Sequence, residues 1–151
     1  MTVQRQFYST TQNWGVEKIV FADGSEWNLA TINSNAWIRG TAANDTIVGT
    51  TWNDTIIGNS GNDSLTGGAG NDVFVFDPGF GKDTITDFTA GVGSVDAIEF
   101  ADDVFADFAA VLAVASQVGA DTLITADVNN TITLKNIALA NLHQEDFQFV
   151  G

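Results

Sequence analysis

The stretch that decides the fold runs from Gly40 to Val75 and reads GTAANDTIV, GTTWNDTII, GNSGNDSLT, GGAGNDVFV. It divides without a gap into four nonapeptides. Position one is Gly40, Gly49, Gly58 and Gly67, and position five is Asn44, Asn53, Asn62 and Asn71. Position six is Asp45, Asp54, Asp63 and Asp72, and position eight is Ile47, Ile56, Leu65 and Phe74. A fixed internal period marks a repeat architecture, in which no unit can bury its apolar side alone and each must stack on its neighbours.

The residue types of one nonapeptide say how it folds. Its first six positions are small or polar and carry the turn formers Gly, Asn and Asp. Its last three hold one large apolar side chain, with β-branched residues common around it, which is a very short strand with one residue pointing inward. Turn and strand in alternation give a coil of half-turns. Strands then stack in parallel at about 4.8 Å, two sheets face each other, and position eight fills the space between them. Successive turns fall on opposite edges, so turns two apart are direct neighbours.

That stacking sets Asp45 beside Asp63 on one edge and Asp54 beside Asp72 on the other. Ionised carboxylates one strand spacing apart repel unless a cation lies between them. Glycines let the turn bend so that backbone carbonyls face the same gap. An all-oxygen set of flexible geometry suits calcium better than magnesium, which demands a tight octahedron. Asp residues that merely cap their own turns are the plainer reading, but turn chemistry alone does not require a strict period of nine.

The fifth turn breaks register. GFGKDTI places Asp83 eleven residues after Asp72, with Gly79 and Gly81 in a similar order, so this turn is expected to stack on the third. The candidate metal residues are therefore Asp45, Asp54, Asp63, Asp72 and Asp83, with Gly40, Gly49, Gly58, Gly61, Gly67, Gly70, Gly79, Gly81, Asn62 and Asn71 around them. Asp77 and Asp87 are weaker candidates. Asp63 borders two gaps and Asp45 one, so loss of Asp63 is expected to cost more calcium.

Composition agrees with a cation-dependent fold. Five Lys+Arg stand against 19 Asp+Glu in 151 residues, a formal charge of -14. That excludes a nucleic-acid binder working through a basic face and argues against anionic membrane surfaces. With no Cys and one His, disulfides, thiolate sites, poly-His zinc sites and a Cys nucleophile are excluded. No apolar run reaches membrane-spanning length. Gln4, Arg5 and Gln6 stand where the apolar run of a Sec signal peptide would begin.

These nonapeptides resemble the G-G-x-G-x-D-x-U-x pattern of the RTX (repeats-in-toxin, haemolysin-type calcium-binding) family. The resemblance covers about a quarter of the chain. GVEKIVFADGSEW (15–27) resembles the segment preceding many RTX arrays, and FVFDPGFGKDTITDF (74–88) resembles the segment that ends such rolls. The resemblance implies a parallel β-roll that binds several calcium ions in its turns, export by a type I secretion system, and a secreted, extracellular or cell-surface location. Departures matter: only the fourth repeat has glycine at positions one, two and four. Ala43 and Trp52 hold position four of the first two repeats. If that position needs a positive φ, both are strained there, and the early turns are expected to bind calcium more weakly.

The flanks read as caps. Residues 1–39 are expected to form an N-terminal cap around a hairpin, with Val16–Phe21 as one strand, Asp23-Gly24 as the turn and Glu26–Leu29 as the return. Phe7, Tyr8, Trp14, Trp27 and Trp37 either cover a core end or offer sugar-stacking platforms. Residues 89–151 are expected to form a C-terminal cap. It holds a helix over Val104–Val118 capped by Asp102 or Asp103, a hairpin of Thr122–Ala126 with Thr131–Ile137, and a final strand after Asp146. That last segment resembles the uncleaved type I export signal, and it also reads as an ordinary strand. His143 reads as a surface residue.

The expected fold is thus all-β dominated: a right-handed parallel β-roll over 40–88, with an N-terminal hairpin cap and a C-terminal helix-plus-hairpin cap. The expected function is a calcium-binding module that folds outside the cell and supports type I secretion of an extracellular protein. The alternative is a calcium-stabilised carbohydrate-binding or adhesion module attached to an upstream enzyme, with a polysaccharide as partner. Only Arg5, Arg39, Lys18, Lys82 and Lys135 could pair with a polyanion, which favours a neutral glycan in that reading. No nucleophile, base and orienting residue come together in the sequence, so the chain does not read as an enzyme. Calcium-bound carboxylates stay charged, so calcium-dependent folding is expected to fail in acid.

Overall fold

The computed structural model describes residues 18–20, 23–28, 31, 37–93 and 96–151. Two compact units divide the chain, Met1–Ala36 and Trp37–Gly151. In the first, β1 (Lys18–Val20) and β2 (Glu26–Asn28) pair antiparallel, with Lys18 opposite Asn28. The Asp23 carboxylate closes their turn by accepting from the Ser25 amide at 2.9 Å, and Gly24 takes the left-handed φ of 86° that the turn needs. Phe7, Tyr8 and Trp14 lie outside the described residues.

The second unit is built from very short strands at the spacing of the repeat. They are β3 (Trp37–Arg39), β4 (Thr46–Val48), β5 (Thr55–Ile57), β6 (Ser64–Thr66), β7 (Val73–Phe76) and β8 (Lys82–Ile85). Even strands pair in parallel on one sheet, with Ile47 opposite Leu65 and Leu65 opposite Ile85. Odd strands pair in parallel on the other, with Ile38 opposite Ile56 and Ile56 opposite Phe74. The position-eight residues Ile47, Ile56, Leu65 and Phe74 are all buried in one apolar core. The alternation of the strand decides this: only one residue of three can face the opposite sheet.

Parallel pairing continues beyond residue 88. β9 (Ala97–Ala101) pairs with β7, and β13 (Phe147–Val150) pairs with β9. On the other sheet β12 (Thr131–Leu134) lies parallel to β8. β10 (Ala115–Val118) and β11 (Asp121–Thr125) then extend that sheet antiparallel from β12. Here the core becomes aromatic. Phe100 meets Phe105 edge to face at 4.9 Å and lies parallel to the ring of Phe147 at 6.2 Å.

The helix differs from its expected extent. α1 spans Phe108–Val114, and its N-cap is Asp107, whose carboxylate accepts from the Ala110 amide at 2.8 Å. Asp102 and Asp103 lie in the turn before it. Ala115–Val118 leaves the helix to pair with β11, a tertiary partner that overrides the local helical spacing. Val111 is the buried residue of α1, while Leu112 is 42% exposed. Among the described residues no helix is long and apolar enough to cross a membrane.

Leu65 is fully buried between the two sheets. Leu65→Ala is expected to destabilise the protein in calcium by about 2–5 kcal/mol, whereas Leu112→Ala stays within about 0.5 kcal/mol. Urea unfolding of both variants checks the contrast.

Candidate calcium-binding turns

The turns stack two apart, and the stacking is carried by side chains reading the backbone of the neighbouring coil. On the first edge, Asp63 Oδ1 accepts from the Asp45 amide at 2.8 Å, and Asp83 Oδ1 accepts from the Asp63 amide at 2.9 Å. On the second edge, Asp72 Oδ1 accepts from the Asp54 amide at 2.9 Å, and Asp96 Oδ1 accepts from the Asp72 amide at 3.1 Å. The position-five asparagines stitch the other way. Asn44 Oδ1 accepts from the Asn62 amide, Asn53 Oδ1 from the Asn71 amide and Asn62 Oδ1 from the Lys82 amide. Asn44, Asn53 and Asn62, with Asp63, Asp72 and Asp83, thus have a use that precedes any ion: each satisfies an amide of the neighbouring coil that a strand of three residues leaves unpaired.

The position-one glycines lie against the second oxygen of their own aspartate. A Cβ at Gly49 would fall 2.9 Å from Asp54 Oδ2, and Gly40, Gly58 and Gly67 approach Asp45, Asp63 and Asp72 in the same way. Gly81 is pressed onto the backbone of Gly61 one coil away, and Gly70 onto that of Trp52. The two extra residues of the fifth turn fall between Phe74 and Gly79, so that Asp83 still reaches the Asp63 amide.

The second carboxylate oxygens divide the turns into two kinds. In the first repeat, Asp45 Oδ2 accepts from the Thr41 amide at 2.6 Å and from Thr41 Oγ1 at 2.8 Å. In the second, Asp54 Oδ2 accepts from the Thr50 amide at 2.6 Å and from Thr50 Oγ1 at 2.9 Å. Each threonine oxygen also accepts from the amide two residues on, at Ala43 and Trp52. In the later turns the residues four and two before the aspartate take positive φ: Asn59 and Gly61, Gly68 and Gly70, Gly79 and Gly81. Their backbone turns away, and Asp63 Oδ2 and Asp83 Oδ2 are left buried with no hydrogen-bond partner. Ala43 and Trp52 keep negative φ, so the strain expected at them is absent: the first two turns take a different backbone instead.

An unpartnered oxygen on a buried carboxylate is costly, and a bound cation is one way to satisfy it. Asp63 and Asp83 are 3% and 1% exposed. Among the described residues no three Asp, Glu or His side chains converge. A cation here would draw on one or two carboxylates and on turn carbonyls, a hard all-oxygen set that fits calcium. Beside Asp83 a cleft of about 270 Å³ opens between the third and fifth turns, lined by Gly58, Asn59, Ser60, Asp77 and Gly79.

Other acids are engaged by backbone. Asp87 takes the amides of Gly67 and Gly68 with its two oxygens, at 2.9 and 2.8 Å. Asp96 adds the Thr89 amide at 2.8 Å. Its place on the second edge is not visible in the sequence, because it follows Asp72 by 24 residues rather than a repeat length. Position two of the first two repeats offers hydroxyls able to satisfy backbone groups, and Thr41 and Thr50 do so at the amides of Ala43 and Trp52; their double donation to the aspartate is the part the sequence does not show. Trp37 and Trp52 are half exposed, and Arg39 lies over the Trp37 ring at 4.6 Å.

Burial raises the Asp63 and Asp72 carboxyls above the usual 3.8 and pushes Asp83 up to about 7, with the neighbouring Asp63 charge adding to it. The backbone and hydroxyl bonds from Thr41 hold Asp45 below 3.8. A raised folded pKa contributes stability that is fully present below the unfolded value and is lost as pH rises through the folded one. Without calcium, the melting temperature should therefore fall as pH rises from about 4 to about 8, and Asp83→Asn should flatten that fall. Thermal unfolding in chelator across this range checks both.

The repeat-family model and the first of two solved structures agree with this architecture. The RTX calcium-binding nonapeptide repeat, in 4 copies, matches residues 34–51, 39–74 and 49–85. The haemolysin-type calcium binding protein related domain matches residues 1–31. No curated protein matches the sequence. Among solved structures, the extracellular lipase LipA of Serratia marcescens is similar over 86% of this chain, with a TM-score of 0.54 and 20% identity. This chain spans only 22% of that lipase, and the likeness is one of fold. The AlgE6R3 subunit of the Azotobacter vinelandii mannuronan C5-epimerase matches over 72% of this chain and 79% of its own, at 21% identity and a TM-score of 0.31. With its parallel two-sheet coil and its Asn-Asp turns, residues 34–85 of this chain are an array of RTX haemolysin-type calcium-binding repeats.

Proposed function

We propose that the chain is a calcium-dependent folding module of a secreted protein: it binds several calcium ions in its turns outside the cell and supports export by type I secretion machinery. The observation that carries this reading is the pair of buried carboxylate oxygens on Asp63 and Asp83 without a donor. Calcium supplies positive charge where these groups lack it. The chain's own part is to hold the carboxylates in register through the amides of Asp45 and Asp63 and to bring carbonyls alongside by the positive φ of Asn59, Gly61, Gly79 and Gly81.

The mechanism is linkage. An ion that binds the stacked turns and not the unfolded chain stabilises the fold. Extracellular calcium modules have dissociation constants of roughly 0.1–1 mM, far above the calcium inside a cell. At a formal charge of -14 the chain repels itself when calcium is scarce, which favours an open, exportable form. As an array of calcium-binding repeats, the module is read as non-enzymatic.

At calcium 100-fold above its dissociation constant, each bound ion should add about 2.7 kcal/mol to the unfolding free energy. Circular dichroism during calcium titration of chelated protein, followed by urea unfolding, measures this. Equal unfolding midpoints in calcium and in chelator at matched ionic strength would exclude the reading.

A further inference from the structure

The two kinds of turn carry an inference about which turns need calcium. We infer that the first two turns are closed by threonine and take no cation, and that calcium enters only the turns of Asp63, Asp72 and Asp83. This rests on the calcium-binding reading above and divides the array within it.

Each turn carries its aspartate at the same place, so the difference lies four and two residues before it. Thr41 and Ala43 precede Asp45, and Thr50 and Trp52 precede Asp54. With negative φ throughout, the threonine amide and hydroxyl both point at Oδ2, and the hydroxyl oxygen is itself used by the amide of Ala43 or Trp52. The oxygen a cation would need is already taken by two donors, and the threonine occupies the space beside it. Opening such a turn would break all three bonds.

The later turns are built the opposite way. Asn59, Gly68 and Gly79 take φ of 65°, 101° and 82°, and Gly61, Gly70 and Gly81 take 142°, 129° and 94°. Nothing donates to Asp63 Oδ2 or Asp83 Oδ2. Asp83 lines the cleft between the third and fifth turns, so the side chains and carbonyls around it have room for an ion. Gly68 and Gly70 give the Asp72 turn the same backbone. The fourth repeat reads GGAGND where the first reads GTAAND, so two substitutions separate an open turn from a closed one.

The test counts ions on the full chain by native mass spectrometry and by isothermal titration of chelated protein with calcium chloride. D45N and D54N should keep the natural count. They should melt lower in chelator, because Thr41 or Thr50 loses an acceptor charge, yet gain as much from calcium as the natural chain does. D63N and D83N should each lose at least one ion and part of the calcium-induced rise in melting temperature. The double variant T41G/A43G, which gives the first repeat the turn sequence of the fourth, should gain one ion. That variant keeps the question open to decision even where D63N or D83N folds poorly. Loss of an ion in D45N equal to that in D63N, or an unchanged count in T41G/A43G, overturns the division. Absence of calcium uptake by the natural chain instead overturns the reading beneath it.

Discussion

From the third turn onward a buried carboxylate reads the amide of the aspartate one coil away, and this is the contact on which the molecule depends. It fixes the vertical spacing of the coils. A strand of three residues can make few ladder bonds, and the Asp and Asn side chains supply those that the strand cannot. The period of nine follows, because any change in turn length must still return the aspartate to the same amide. The fifth turn shows the tolerance of the rule. It is longer by two residues, the excess is spent between Phe74 and Gly79, and Asp83 still bonds the Asp63 amide at 2.9 Å.

The same contact creates the electrostatic problem. Carboxylates that each read the amide of the preceding aspartate in the stack lie close together and out of water, and burial disfavours their charged form. The chain answers in two ways. A threonine four residues earlier donates twice to the free oxygen, which completes the turn from within. Where that residue is Asn59 or Gly79 in the left-handed region, the oxygen of Asp63 or Asp83 stays unsatisfied, and the turn is complete only with something from outside. Asp96 shows that the first answer does not require the nonapeptide, since the amide of Thr89 satisfies its second oxygen at 2.8 Å.

What the sequence made legible was what repeats. The period placed the strands, and position eight gave Ile47, Ile56, Leu65 and Phe74 as core. The neighbour relation between turns two apart follows from geometry alone. What did not repeat was hidden. Ala115–Val118 carries helical spacing but becomes a strand, because β11 offers it a partner that local sequence cannot reveal. Asp96 lies off the period. Ala43 and Trp52 looked like strained substitutes for glycine, yet the backbone there abandons the glycine conformation, and the threonine beside each is what permits it. A departure from consensus that reads as damage in one position can be half of a two-residue exchange.

The first edge shows how position in a stack decides which answer a turn needs. Asp45 is only partly buried, and the Thr41 donors hold its carboxyl below the ordinary value. Asp63 lies between Asp45 and Asp83 in the stack and is raised, chiefly by burial. Asp83, deeper still, is pushed up to about 7. Along one row of chemically identical side chains the direction of the shift therefore reverses within two coils. Hydrogen bonds dominate where water is near, and desolvation dominates where it is not. A hydroxyl on a side chain is a fixed partial charge, and it completes the first turn of each edge, at the partly exposed Asp45 and the buried Asp54 alike. Inside the stack, where each carboxylate also feels its neighbour, a full positive charge stabilises the ionised form far more than a dipole does. The glycines of the later turns keep the space for that charge open, at the cost of a fold that is weaker without it.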